Sequence, residues 1–174
     1  MNGEEAGGGE AGERARRSVE RMWAAFAVAA AVDPATPFSV WHFGDDEALA
    51  DSLVELVRSG PKRATAGSVW SYELEREPVP KVGEFSVVTD WAGRARCVVR
   101  TTSVEIVPFE AVTAEHAAAE GEGDRSLEYW RTSHWAYYTR ELRQAGREPS
   151  PDMPIVCERF ELVFAGEPGA TAAG

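Results

Sequence analysis

Apolar residues recur every three or four positions in three parts of the chain, which is the spacing of one helical face. The first pattern covers residues 13–33 and ends at Asp33-Pro34, because proline disfavours helical backbone in the residue before it. The third covers residues 127–145, where Ser126 can cap the start of the helix and Gly146 follows its end. These two patterns predict a helix at each end of the folded region.

The middle pattern predicts a helix that stops just before a polar motif. Its apolar stripe lies within residues 49–57, and Gly60-Pro61 follows, as expected just past a helix end. Lys62 and Thr65 therefore lie on a loop or at the start of a strand. An amine and a hydroxyl so close together are a candidate nucleophilic pair, because a lysine of lowered pKa can take a proton from a hydroxyl that then attacks a carbonyl.

Other apolar runs have the composition of strands and are bounded by turn residues. They cover residues 38–43, 85–89, 95–107 and 155–164. The elements do not alternate as repeated βα units, which argues against a doubly wound parallel sheet. The pattern instead predicts an α+β domain around a small, mixed or largely antiparallel β-barrel with flanking helices.

Composition predicts that the ends of the chain lie outside this domain. Residues 1–12 are rich in Gly, Glu and Ala without a periodic pattern, so we expect disorder there. Residues 13–33 then form a helical extension, residues 38–164 the domain, and residues 165–174 a flexible tail. The extension suits a helix that covers the domain and equally an arm that forms a homodimer, and the sequence leaves both open.

Charge and cysteine content narrow the partners and the compartment. The formal net charge of −11 repels phosphate backbones at long range, so broad DNA binding is not expected, whereas a local pocket for a nucleoside or a short RNA remains open. The longest apolar run, residues 22–32, is too short to span a bilayer. Cys97 and Cys157 do not form a disulfide framework. We therefore expect a cytoplasmic protein without a membrane partner.

A second polar cluster lies far downstream of Lys62. It contains His116, Glu120, Glu122 and Asp124. Because His116 and Glu120 are four residues apart, they would share a helix face, and a loose divalent-metal site stays open on spacing alone. The alternative is a solvated acidic loop at a helix amino terminus, where negative charge is favourable. Our main interpretation needs no metal or other cofactor.

These segments together resemble the ASCH domain family, whose members share a PUA-like β-barrel. The resemblance covers about residues 38–164 and depends on the order and number of short motifs. The motifs are Phe43-Gly44-Asp45, Gly60-x-Lys62-x-x-Thr65, Glu120-Gly121-Glu122-Gly123-Asp124-Arg125-Ser126-Leu127, Tyr129-Trp130-Arg131, His134, and Val156-Cys157-Glu158-Arg159-Phe160.

Compact members of that family include amidohydrolases that cleave the acetyl amide of acetylated cytidine. The resemblance implies that Lys62, Thr65 and Glu120 are the catalytic residues. Lys62 would deprotonate Thr65, which attacks the amide carbonyl, and Glu120 would move a proton to the leaving amine or position water. The compact enzymes carry an Arg two residues after the Thr, where this chain has Gly67.

The resemblance also implies where the substrate would bind, at the mouth of the barrel. Trp70 or Trp130 would stack on a base, and Arg131 would meet a phosphate or a base carbonyl. The expected substrate contacts are Arg63, Ser68, Trp70, Glu122, Asp124, Trp130, Arg131 and His134.

Two other functions remain open at this stage, because further members of the family are described as ribonucleases or as RNA-binding modules of transcriptional coactivators. One is a ribonuclease acting on single-stranded RNA, with a divalent metal near Glu120, Glu122 and Asp124. The other is a non-enzymatic module that holds RNA or a nucleoside, with Lys62 as a phosphate contact.

Overall fold

The computed structural model describes residues 5–166, with side chains from residue 9 onward. Helix α1 spans Glu5–Ala30, so residues 5–12, which we expected to be disordered, belong to the helix. Adding a turn to an existing helix costs less than nucleating one, which explains how a Gly-rich segment continues the periodic part. An ion pair between Arg14 and Glu10, at 3.6 Å, lies along this turn. The rest of the disorder prediction and most of the predicted tail lie outside the described residues.

The described chain contains five α-helices and five strands. After α1, the helices are α2 (Glu47–Ser59), α3 (Val69–Glu75), α4 (Ala114–Glu120) and α5 (Leu127–Arg143), with a 3₁₀ turn at Phe109–Ala111. The strands are β1 (Phe38–Trp41), β2 (Ala64–Ser68), β3 (Phe85–Thr89), β4 (Ala95–Pro108) and β5 (Pro154–Ala165).

The strands form one mixed sheet, which confirms the α+β class. Hydrogen bonds join them in the order β1-β3-β4-β5-β2. Strand β1 runs parallel to β3, whereas β3 is antiparallel to β4 and β2 is antiparallel to β5. Among the described strands β1 and β2 are the edges, so the sheet is open and the predicted closure into a barrel is not observed.

The chain divides into two compact units. The first comprises the chain up to Arg58, residues 85–100 and the segment from Leu162 onward. The second comprises residues 59–84 and 101–161. All the residues that we predicted to form the site belong to the second unit.

Helix α1 supplies much of the core of the first unit. Trp23 and Phe26 are buried against Val87 and Val98. The Trp23 ring stacks on Phe38 with centroids 4.2 Å apart. Burial of each large side chain stabilises the unit by about 1.5–3 kcal/mol, so this face of α1 covers the unit. A homodimer through α1 stays a prediction.

Hydroxyl side chains start three helices of the second unit. Ser68, Thr113 and Ser126 are the N-caps of α3, α4 and α5, and each accepts a hydrogen bond from a backbone N–H in the first turn. Such caps stabilise a helix by about 1 kcal/mol each. Helix α4 ends at Gly121, whose φ of 71° is the left-handed conformation that favours glycine.

The core of the second unit forms between α5 and β5. Tyr138 and Leu142 of the helix are buried with Met153, Ile155 and Cys157 of the strand and the residues just before it. No helix among residues 5–166 is long and apolar enough to cross a membrane. Within that range Cys97 and Cys157 are buried and do not form a disulfide.

Candidate functional site

The Lys62 backbone is held against the end of helix α4. The Arg63 N–H donates to the Ala119 carbonyl at 2.8 Å. The two segments come closer still at Gly121, where an added Cβ would lie 2.6 Å from the carbonyl atoms of Pro61. This close approach places the last residue of α4, Glu120, beside Lys62.

Lys62 and Glu120 are both buried, with 0% and 1% of their side chains exposed. The Lys62 Nζ donates to Glu122 Oε1 at 2.5 Å and lies 3.5 Å from Glu120 Oε2. The same Nζ is also 3.5 Å from the Glu120 carbonyl oxygen. Two residues 58 positions apart therefore form a buried ion pair, with Glu122 as a second counterion.

Glu120 receives donors on both carboxylate oxygens. Trp130 Nε1 donates to Oε1 at 2.7 Å, and His116 Nε2 lies 3.2 Å from the same oxygen. His134 Nε2 lies 3.4 Å from Oε2. The other ring nitrogen of His134, Nδ1, is 3.0 Å from the Trp130 carbonyl oxygen. Because both ring nitrogens of His134 face acceptors, this arrangement favours the imidazolium form.

The electrostatics of this group make Glu120 a fixed negative charge. Burial on its own raises the pKa of Glu120, but the charges of His134 and Lys62 outweigh it and hold that pKa well below its usual value. Burial likewise opposes the charged form of His134, and the Glu120 carboxylate outweighs burial and raises the His134 pKa. A carboxylate with a lowered pKa is a weak base, so it suits a counterion better than a proton shuttle.

Thr65 lies on the face of β2 and β5 that is turned away from the core around Trp130. In the antiparallel pair of β2 and β5, Ala66 faces Cys157 and Thr65 faces Glu158. Ala66 and Cys157 pack in the core that contains Trp130. Because successive side chains of a strand point to opposite faces, Thr65 and Glu158 face away from that core. Within residues 5–166 the Thr65 hydroxyl has no hydrogen bond to Lys62 or Glu120.

Several predicted substrate contacts are occupied by structural interactions. Ser68 is buried and caps α3 by accepting from Trp70 N at 3.1 Å. The guanidinium of Arg147 lies 4.2 Å from the centre of the Trp70 ring. Arg63 Nη1 donates to the Lys62 carbonyl at 2.7 Å. These side chains hold the local fold in the observed state.

The predicted aromatic platform is also buried. Trp130 is 2% exposed and its ring stacks on His134 with centroids 4.2 Å apart. A base therefore cannot stack on Trp130 without displacing its neighbours. Glu122 and His134 join the Lys62 group, whereas exposed Asp124 accepts from Ser126 N at 2.8 Å.

Arg131 lies in a separate open pocket of about 470 Å³. Its Nη2 donates to the Glu110 carbonyl at 3.0 Å. The pocket is lined by Phe109, Glu110, Arg131, Trp135 and Pro151. This places Arg131 outside the group around Lys62.

Two residues that contact or face the predicted site were not among the predicted catalytic and substrate-binding residues, although His116 was named in the second polar cluster. His116 bonds Glu120, and the four-residue spacing that we noted for a metal site was the signal for this contact. Glu158 faces Thr65 and belongs to a motif that carried the family resemblance, but nothing in its spacing indicated a partner. No group of three or more His, Cys, Asp and Glu side chains between residues 5 and 166 is arranged to hold a metal ion.

The hydroxyl of Tyr138 is buried beside this group and forms no hydrogen bond with any described residue. We expect the change Tyr138→Phe to raise the free energy of unfolding by about 1 kcal/mol, because it removes a buried polar group that has no partner. Urea denaturation of the two proteins checks this, with the exposed Tyr129→Phe as the control. A loss of stability in Tyr138→Phe would contradict the prediction.

Comparison with known proteins assigns the chain to a family. The model of the ASCH domain matches residues 39–164. The chain is 34% identical to an ASCH domain of Lactobacillus crispatus JV V101 of known structure, which covers 87% of this chain and 95% of that one with a TM-score of 0.76. A protein of Enterococcus faecalis V583 of known structure is also 34% identical, with coverages of 91% and 98% and a TM-score of 0.79. No curated protein matches the chain. The chain belongs to the ASCH domain family.

Proposed function

We propose that this ASCH-domain protein binds RNA or a modified nucleoside and hydrolyses the amide of an acetylated cytidine-like nucleoside. The observation that supports the proposal most is the buried contact between Lys62 and Glu120, which completes the family motif across 58 residues of sequence. Thr65, three residues beyond that lysine, is the half-buried hydroxyl available as the nucleophile.

The residues around Lys62 have different parts in this proposal. Thr65 attacks the amide carbonyl, the proton of its hydroxyl passes to the leaving amine, and water then hydrolyses the acetyl ester that forms on Thr65. Glu120 and Glu122 fix Lys62, and Lys62 fixes the segment that leads into β2. For Lys62 to take the Thr65 proton itself, as the family resemblance implies, its Nζ would first have to leave Glu122, which it contacts at 2.5 Å.

A non-enzymatic binding module is the second candidate, because one observation favours it. Lys62 and Glu120 are almost completely buried, which suits a structural ion pair as well as a catalytic one. The ribonuclease hypothesis requires a bound divalent metal, and no group of three or more potential metal ligands is present among the described residues. Salt-sensitive binding of RNA without turnover would identify the module.

We expect the purified protein to release cytidine and acetate from acetylated cytidine. The change Thr65→Ala should lower the rate by about 1,000-fold or more, because it removes the nucleophile. Chromatography of the nucleosides measures the product, and thermal unfolding checks that the variant is folded. Thr102→Ala, which changes an exposed strand threonine, is the matched control and should keep the wild-type rate.

Two outcomes would contradict parts of this proposal separately. Wild-type protein that forms no cytidine would exclude the hydrolase activity on this substrate. Cytidine formed as fast by Thr65→Ala as by wild type would instead leave the activity in place and remove Thr65 as its nucleophile.

A further inference from the structure

Glu158 is the carboxylate that the fold places directly opposite Thr65. The two residues are register partners in the antiparallel pair of β2 and β5. Side chains of such partners stand on the same face, with Cβ atoms about 4.5–5.5 Å apart. A glutamate can reach a neighbouring hydroxyl across that distance, so the register places an acid beside the proposed nucleophile, although among the described residues no hydrogen bond joins Thr65 to Glu158 in the observed state.

The surroundings of Glu158 differ from those of Glu120. Glu158 is 5% exposed, and its Oε1 accepts from Thr101 Oγ1 at 2.6 Å. Its Oε2 receives no hydrogen bond from any residue in the described part of the chain, and no cation pairs with it there. Burial raises the pKa of Glu158, with the Thr101 hydrogen bond opposing and the Glu84 charge adding to the rise. Glu158 is therefore the better base of the two glutamates.

Tyr72 adds a hydroxyl donor on this face. Gly67 lies two residues after Thr65 on β2 and so shares its face. A Cβ on Gly67 would lie 3.0 Å from the Tyr72 ring and 3.3 Å from its hydroxyl, which shows how closely Tyr72 covers this position. Burial, together with the Glu158 charge, raises the pKa of Tyr72 to about 12, so its hydroxyl stays protonated.

We propose that Thr65, Glu158 and Tyr72 are the reacting group of this protein and that the ion pair of Lys62 and Glu120 positions their strand. This inference rests on the proposed function, but it assigns the role of base to Glu158 and not to Lys62. It favours a small acyl group, because the Tyr72 ring lies close to the strand face two residues beyond Thr65.

The steps balance without a metal or a redox partner. Glu158 takes the Thr65 proton while Oγ1 bonds to the carbonyl carbon, and Tyr72 donates a hydrogen bond to the carbonyl oxygen. The C–N bond then breaks, and the amine takes the proton back from Glu158. In the second half a water molecule attacks the threonyl ester and gives one proton to Glu158; Thr65 leaves with that proton, and the acetic acid that is released ionises to acetate in solution.

The first test is the rate of acetylated-cytidine hydrolysis by Glu158→Gln. We expect kcat to fall by about 100-fold or more with little change in KM, because the base is lost and the shape is kept. Tyr72→Phe should lower kcat by about 100-fold through loss of the oxyanion donor. Glu105→Gln, at an exposed position of β4, is the matched control and should keep the wild-type rate. Wild-type turnover by Glu158→Gln would overturn the proposal while leaving the hydrolase standing.

A second test does not depend on the substrate. A fluorophosphonate phosphonylates an activated hydroxyl with loss of fluoride, and mass spectrometry of peptides locates the adduct. We expect Thr65 to be labelled in wild type and in Glu105→Gln, and labelled at least about 100-fold more slowly in Glu158→Gln. If Glu158→Gln does not fold, Glu158→Asp, which withdraws the carboxylate, should show slower labelling than wild type.

The two tests separate the failure of each proposal. Labelling of Thr65 that needs Glu158, without cytidine release, would support the reacting group and exclude the substrate. Absence of both labelling and turnover in wild-type protein would overturn both proposals. Labelling of Thr65 at an equal rate with and without the Glu158 carboxylate would overturn this inference alone.

Discussion

Replacing Glu120 with glutamine is expected to destabilise the protein by about 3 kcal/mol or more. The change keeps the size of the side chain and an acceptor for the Trp130 N–H, but it removes the charge. Lys62 and His134 then keep their positive charges in a buried site with only Glu122 to compensate them. Urea denaturation followed by tryptophan fluorescence measures the free energy of unfolding.

Glu115→Gln is the matched control for this prediction. Glu115 lies on the same helix and pairs with Arg159 at 3.0 Å, but its side chain is 83% exposed. Exposed ion pairs contribute little because water screens them, so we expect a change within about 0.5 kcal/mol. Equal losses in Glu120→Gln and Glu115→Gln would show that the buried group does not stabilise the fold.

The pH dependence of stability gives the same prediction a second readout. The lowered pKa of Glu120 means that its stabilisation is present above the unfolded-state pKa of about 4.5 and is lost as pH falls through the folded value. The raised pKa of His134 means that its stabilisation is present below about 6.5 and is lost as pH rises through the folded value. The free energy of unfolding of the wild type should therefore fall at acidic pH and again as pH rises through the His134 pKa. In Glu120→Gln both of these pH dependences should be weaker.

Local pattern predicted the elements well where the signals are local. The predicted strand at residues 85–89 coincides with β3, and the predicted run at residues 95–107 is one residue shorter than β4. Helix α3 was not predicted, because its Val, Trp and Tyr residues favour strands and the Ser68 cap decides the outcome. The sheet stays open because β1 and β2 do not pair with each other. Pairing between strands far apart in sequence leaves no signal in the local residue pattern.

The contact between Lys62 and Glu120 was predictable only through the family motif. Spacing along the chain cannot show that the end of α4 packs on the segment before β2, since that contact depends on Gly121 and on tertiary hydrogen bonds. The hydrogen-bond and ion-pair partners of Glu120 were likewise not predictable, apart from His116, which lies four residues earlier. Burial of Trp130 was open in the sequence between a core position and a base platform, and the structure shows the core position.

The position of Thr65 shows a different reason for a missed feature. The family motif suggests that Lys62, Thr65 and Glu120 lie together. Side chains alternate between the two faces of a strand, however, and in β2 this turns Thr65 away from the core around Trp130. Once the register of β2 against β5 is known, Glu158 is the carboxylate that faces Thr65 across the strand pair. Register depends on the whole sheet, so no reading of residues 60–65 alone could supply it.

Replacing Gly121 with alanine is expected to cost about 2–5 kcal/mol of stability. One part of this cost is the left-handed backbone at φ 71°, which alanine disfavours. The other part is steric, because the new Cβ would lie 2.6 Å from the backbone of Pro61, which cannot move as a side-chain tip can. Relief of this overlap moves Glu120 away from Lys62, so the variant should also lose part of the acid slope of stability.

Gly146→Ala separates these two parts. Gly146 follows α5 with a φ of 65°, but a Cβ there would meet nothing within 4 Å. It should therefore show the backbone cost alone, about 1 kcal/mol, and an unchanged acid slope. Urea denaturation at neutral and acidic pH measures both variants. If Gly121→Ala were no less stable than Gly146→Ala, the close packing of α4 on Pro61 would not be what holds Glu120 beside Lys62, and the positioning role given to that ion pair would lose its structural basis.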